Sequence, residues 1–310
     1  MIGIDVGGAN VKIAIEDAVH IHYCPLWEHA PLSDIFAPYA GQPAAVVMSG
    51  EQADSFASKE AGIAFIVGAV RAIFPQALFY GMDGAFHTHA MPQLSAANWL
   101  VSADFLRTRH PDAVLVDMGS TTTDIIPLTD FDHLRGMSDL RRLQTGYLVY
   151  SGLLRTPVAS LVRSLVVEGT ETLVSSERFA IAADVHRALG HITEDRYTVP
   201  TPDNGGSSVD ASLQRLARMV CADLHEIGRD AALDIARQVW DAQKSQIASQ
   251  VVRVAKARGA TSILTAGIGS PVIAKAVGGT DLGEELGIWS DAFPAFAVRE
   301  VALRNAGRCP

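Results

Sequence analysis

The segment MIGIDVGGANVKIAIED at positions 1–17 constrains the fold more than any other, because its pattern recurs later in the chain. Ile2 and Ile4 lead into Asp5, Gly7 and Gly8 form a turn, and Val11, Ile13 and Ile15 then alternate with Lys12, Ala14 and Glu16. Alternation with period two after a glycine turn predicts a strand–turn–strand hairpin. A dinucleotide-binding unit would enter a helix at that point, so that reading is set aside. The segment AVLVDMGSTTTDIIPL at 113–128 repeats the pattern 112 positions on. Asp117 takes the place of Asp5, Gly119 of Gly7, Ser120 of Gly8, Thr122 of Asn10 and Asp124 of Lys12. A motif at the head of each half reads as duplication. Two lobes are predicted, 1–112 and 113–310, with no charged or low-complexity linker to hold them apart.

With 310 residues, 48% apolar and 19% charged, the chain can bury two modest cores. Its 25 basic and 34 acidic residues give a net charge of −9, which argues against a nucleic-acid partner. A local phosphate site remains open to it, since backbone N–H groups and a bound cation can build one. Cys24, Cys221 and Cys309 form no CxxC pair and are expected to be reduced thiols. No basic leader precedes the first strand, and the most apolar stretch, 61–78, is broken by Arg71 and Pro75. A soluble, cytoplasmic protein with no membrane partner is therefore expected.

Between the hairpins, 44–50 reads as a buried strand and 58–72 as an amphipathic helix. Leu213, Leu216, Val220, Leu224 and Ile227 keep helical spacing, which predicts one helix over 210–227 with Asp210 at its N-cap. The preceding loop, TPDNGGSS at 201–208, is either a mobile segment or a plain connector. A long helix is predicted over 231–257 with Gly259 at its C-terminal end, then a strand over 261–265. The turn at 267–270 and a closing helix over 294–305 complete the chain.

The two turns share one chemistry. Gly7, Gly8, Ala9 and Asn10, and in the second copy Gly119, Ser120, Thr121 and Thr122, are small enough for a phosphate to approach several backbone N–H groups. Hydroxyls on Ser120, Thr121, Thr122 and Thr123 add donors, Lys12 adds a point charge, and Lys59 is a second candidate contact. Asp5, Asp117 and Asp124 beside a phosphate would repel it and one another. Two like charges about 4 Å apart cost about 4 kcal/mol at an effective dielectric of about 20. A divalent cation reverses that sign, so Mg²⁺, or Mn²⁺ in its place, is predicted on Asp5 and Asp117. The alternative is that these aspartates only accept turn N–H groups. Asn98 and Trp99 are candidates to line an aromatic pocket, although a Trp more often serves the core. Arg142 or Arg155 would suit a carboxylate. The pairs His20/His22 and His87/His89 lack carboxylates at matching spacing and are not read as metal sites.

The paired turns resemble the acetate/sugar kinase–Hsp70–actin superfamily, and DMGSTTTDI (117–125) resembles a loop of its hydantoinase/oxoprolinase members. A closer resemblance runs through IGIDVGGANVK (2–12), SGEQADSFASKEAG (49–62), SAANWLVSA (95–103), DMGSTTTDIIPL (117–128), RRLQTGYLVYSGLLRTPV (141–158), FAIAADVHRALG (179–190) and RLARMVCAD (215–223). These are similar to the (aminomethyl)furan–tyramine ether synthase family of methanofuran biosynthesis, with bacterial relatives in tetrahydromethanopterin-linked C1 pathways. The resemblance implies an α/β, bilobal, actin-like ATPase/RNase H-like fold whose duplicated loops face an interlobe cleft. It also implies a transferase that joins a furanylmethyl diphosphate to a phenolic acceptor of tyramine or tyrosine type and releases diphosphate. Lys12 would take the leaving charge, and Asp117 or Asp124 would act as base or hold metal. Gly267 and Gly269 match in position an adenosine-contacting turn of kinase relatives; here they would shape the acceptor pocket or simply join strand to helix. Tyr147 departs from the family pattern, where Glu is commoner, and Ala57-Ser58-Lys59 replaces a Pro-Thr-Lys-like run. Both bear on acceptor recognition. An ATP-dependent kinase and an actin-like scaffold are the competing readings, and a homodimer is left open.

Overall fold

The computed structural model describes residues 1–28 and 30–307; Cys309 lies outside the described residues. The first half runs β1 (Ile2–Val6), β2 (Asn10–Ala14), β3 (Val19–Tyr23), α1 (Leu32–Phe36), β4 (Ala44–Met48), α2 (Lys59–Ile73), β5 (Leu78–Tyr80), β6 (Phe86–His87) and α3 (Asn98–Leu106). Next come β7 (Ala113–Met118), β8 (Thr123–Pro127), α4 (Phe131–Leu134), α5 (Asp139–Thr145) and β9 (Leu148–Val149). A hairpin of β10 (Ser164–Val167) and β11 (Thr170–Leu173) leads to α6 (Ala182–Ala188), α7 (Val209–Arg218) and α8 (Leu224–Arg258). The chain closes with β12 (Ser262–Ala266), α9 (Ser270–Val277), β13 (Thr280–Asp281), α10 (Gly283–Leu286) and α11 (Phe293–Asn305).

Both predicted hairpins form, and in matching register. Asp5 lies opposite Lys12 across β1 and β2, and Asp117 lies opposite Asp124 across β7 and β8. The turns close alike: the Gly7 N–H donates to the Asn10 carbonyl and the Gly119 N–H to the Thr122 carbonyl, each at 2.9 Å. The duplication reaches the whole sheet. One sheet orders its strands β3-β2-β1-β4-β5, with β6 added at the edge, and the other β9-β8-β7-β12-β13. In each, the first strand has an antiparallel neighbour on one side and a parallel one on the other.

β1, β4 and β7 are nearly continuous apolar runs (IGIDV, AAVVM, AVLVDM), so both faces of each sheet must be covered. Ile4, Val46, Ile66 and Phe79 belong to one core beneath α1 and α2. The larger core is shared between the sheets and joins Val47, Trp99, Val116 and Val298. It is closed by α11, which packs on β1, β4 and α3. The last helix of the chain therefore completes the first sheet. A third cluster, under α6, α7 and the first turns of α8, includes Val185, Leu216 and Ile235.

The helical region departs from the sequence reading. The stripe over 210–227 is broken: α7 ends at Arg218, Cys221 adopts a φ of 59°, and Asp223 caps α8. Ser208, not Asp210, accepts the Ala211 N–H and caps α7. Gly228, with a φ of 76° and a ψ of 165°, breaks α8 after its first turn, so the continuous long helix begins just beyond it, near the predicted 231, and ends on a left-handed Gly259 as expected. The loop 201–208 is pinned, because Asp203 accepts from Arg215 and Arg218 and the Gly206 carbonyl accepts from Arg215. No helix among the described residues is long and apolar enough to cross a membrane.

Candidate active site

The two turns face one interlobe cavity of about 720 Å³. Gly7, Gly8, Ala9 and Asn10 line it from one lobe, and Gly119, Ser120, Thr121 and Thr122 from the other. Asp5, Lys12, Asp117 and Asp124 form its floor, and Lys59, Asn98, Arg142, Arg155 and Gly267 also reach it. Four residues expected there do not. Thr123 is buried, and its hydroxyl donates to the Ser151 carbonyl at 2.6 Å, so it offers nothing to a phosphate. Trp99 is buried in the shared core, with its indole under the Arg142 guanidinium at 4.3 Å. Tyr147 is buried too, and its hydroxyl accepts from Arg258 at 2.6 Å. Gly269 starts α9 against Met118, where an added Cβ would come within 2.5 Å of that side chain. The histidine pairs lie elsewhere: the His20 and His22 rings are 6.4 Å apart on β3, and His87 meets Asp83 at 3.0 Å.

The floor is crowded with carboxylates. Burial pushes Asp5 up to about 6; Lys12 opposes this and Asp124 adds to it. Burial pushes Asp117 up to about 7, reinforced by Asp124 and Asp5 and opposed by Lys12. Asp124 is also raised by burial, and Arg142 holds it back. Asp5 Oδ1 is buried without a hydrogen-bond partner. A buried, unpartnered acceptor among like charges suits a cation. Among the described residues no three His, Cys, Asp or Glu side chains form a complete metal cage. Gly267 closes the floor, since a Cβ there would stand 2.3 Å from Asp117 Oδ1.

Arg142 was expected to await an acceptor carboxylate. It is already committed to two within the protein: it is ion-paired with Asp124 and donates to Asp139 at 2.8 Å. Arg155 lines the cavity with its guanidinium 5.0 Å from the Trp27 ring of the other lobe.

The second turn is braced from behind by residues that the motifs did not point to. The Leu153 N–H donates to the Gly119 carbonyl at 2.9 Å, and those of Leu154 and Arg155 to the Ser120 carbonyl. Gly152 lies so close that a Cβ would come within 2.6 Å of the Thr121 backbone. Gln243 of α8 donates from Nε2 to Ser151 Oγ and to the Gly152 carbonyl, each at 2.9 Å. Its Oε1 accepts from His186 Nε2 at 3.1 Å. Burial lowers His186 to about 3, which keeps the ring neutral. Nothing local in the sequence marks Gln243, which is just one polar residue on a long helix.

Two sheets of the same topology, with matched hairpin turns facing one cavity, define a bilobal actin-like α/β fold with an interlobe site. The nucleotide-free structure of acetone carboxylase, from work on ATP-dependent acetone carboxylation, shares this fold, with a TM-score of 0.50. The match is 12% identical and covers 87% of this chain and 48% of that one. The hydantoinase/oxoprolinase family model matches residues 46–298. The chain is 35% identical to a (4-{4-[2-(gamma-L-glutamylamino)ethyl]phenoxymethyl}furan-2-yl)methanamine synthase of Methanocaldococcus jannaschii, over 98% of each protein. A Methanococcus vannielii protein of the same name is 36% identical over 63% of this chain and 91% of its own length. The chain belongs to the hydantoinase/oxoprolinase family and, within it, to the family of these methanamine synthases.

Proposed function

We propose that this protein is a transferase of methanofuran or methylofuran biosynthesis. It joins a furanylmethyl diphosphate to the phenol of a tyramine- or tyrosine-type acceptor and releases diphosphate. The observation that carries this reading is the meeting of two phosphate-type turns, Lys12, the buried Asp5 and the half-buried Asp117 and Asp124 in one cavity. The relatives' names, which contain a phenoxymethyl-furan ether, supply the chemistry that such a site would perform.

The reaction breaks the bond between the furanylmethyl carbon and the diphosphate oxygen, and the electron pair leaves with the diphosphate. The phenol oxygen bonds to that carbon and gives up its proton. The furan oxygen stabilises positive charge at the carbon, so the main demand on the site is to accept the leaving charge. Turn N–H groups from 8–10 and 120–122 and the Lys12 ammonium are fixed before reaction and supply that stabilisation. Asp5 and Asp117 would hold a magnesium ion, which adds Lewis-acid neutralisation of the leaving group. Asp124 takes the phenol proton: Arg142 binds one of its oxygens and orients the other. A phenol with a pKa of about 10 needs such a base near neutral pH.

Diphosphate release from furanylmethyl diphosphate and γ-glutamyltyramine tests this reading. Lys12→Ala and Asp124→Asn are each expected to slow release about 100-fold or more while circular dichroism stays unchanged. Near-normal turnover in both variants removes the chemistry from the turns.

A further inference from the structure

The cavity has a second character away from its floor. Leu140, Leu143 and Tyr150 line it, yet they are 67%, 48% and 69% exposed. Isolated exposed leucines need no explanation, but three large apolar side chains on the wall of one cleft do. They are also held in fixed relation to the anion floor. α5 carries Leu140 and Leu143 three residues apart, and Arg142 between them ties the helix to Asp124. Ser138 caps the helix, and Gly146 ends it in a left-handed conformation. Leu148 of β9 pairs in register with Asp124 and lines the cavity as well; Tyr150 follows two residues on. An apolar wall therefore runs outward from Asp124 along α5 and the end of β9.

We propose that Leu140, Leu143 and Tyr150 form the seat for the aromatic ring of the acceptor. A phenol on this wall directs its hydroxyl toward Asp124 and its substituted end toward solvent at the cleft mouth. The wall is apolar and the floor acidic, so a flat ring with one proton to lose matches both. Arg155, over Trp27, faces the end of the acceptor that carries the polar chain. This seat deepens the proposed transferase reading and rests on it for the identity of the acceptor. The wall alone specifies only an aromatic ligand.

The experiment measures binding and kinetics in the same variants, Leu140→Ser/Leu143→Ser and Tyr150→Ala. All three side chains are exposed, so folding is little affected. Tyramine binding is followed by saturation-transfer NMR, inorganic diphosphate binding by calorimetry, and ether formation by KM for each substrate. Loss of the apolar contacts is expected to weaken tyramine binding and raise the acceptor KM about tenfold, with diphosphate affinity and donor KM unchanged. Unchanged tyramine binding overturns the seat. So does a parallel loss for tyramine and diphosphate, which would mean that the wall serves lobe closure. If the wild type makes no ether but the variants still lose tyramine, the seat stands and the transferase reading falls.

Discussion

Gly152→Ala probes the second turn from behind, without replacing any residue that lines the cavity. The new Cβ would stand 2.6 Å from the Thr121 backbone and 2.7 Å from the Gly119 carbonyl oxygen, whereas ordinary contact begins at 3.4 Å. Backbone must therefore move by about 0.8 Å to relieve the overlap. Gly152 is poorly placed to yield, because its carbonyl is held by Gln243 and its N–H donates to Thr156 at 2.9 Å. The displacement passes to 119–122, and the N–H groups of 120–122 are proposed to hold the diphosphate. Misplacing reacting groups by about 1 Å costs on the order of 100-fold in rate, and overpacking a tight site costs about 1–3 kcal/mol of stability. Initial rates of diphosphate release at saturating acceptor, with a urea titration alongside, read both effects. A variant whose kcat stays within about threefold of wild type would refute the bracing argument.

Three further outcomes follow from the same geometry. Arg142→Met leaves Asp124 and Asp139 facing each other without their shared cation, and is expected to lose about 3–5 kcal/mol in urea unfolding together with activity. His186 is neutral when folded down to about pH 3, while the unfolded chain binds a proton below about 6.5. Unfolding free energy should therefore fall by up to about 1.4 kcal/mol per pH unit as pH drops through that window, and His186→Phe should flatten the slope. Gly68→Ala sits exposed in α2 with open space around its Cβ, and should add about 0.5–1 kcal/mol of stability with unchanged turnover.

The sequence disclosed what neighbouring residues decide. The two hairpins depend on alternation and small turn residues within 16 positions, and their offset also matched Asp5 to Asp117 and Lys12 to Asp124. The cavity lining followed wherever backbone of those turns forms it. Side-chain direction did not follow. Trp99 and Tyr147 look like pocket residues by type, but α3 and the start of β9 turn both into the core. Arg142 looked free for a substrate because its partners, Asp124 and Asp139, come from a distant strand and its own helix. Gln243 reaches Gly152 only through the packing of α8, and no local pattern encodes that meeting. At the α7–α8 junction the apolar stripe stays continuous while the backbone turns at Cys221, so periodicity alone read one helix.

The central claim is tested most directly by incubating the protein with Mg²⁺, furanylmethyl diphosphate and γ-glutamyltyramine, and weighing the products by mass spectrometry. The account predicts the aryl furanylmethyl ether and diphosphate in one-to-one amounts, with no ADP formed when Mg·ATP is supplied instead. Absence of the ether, or steady conversion of ATP to ADP, contradicts it.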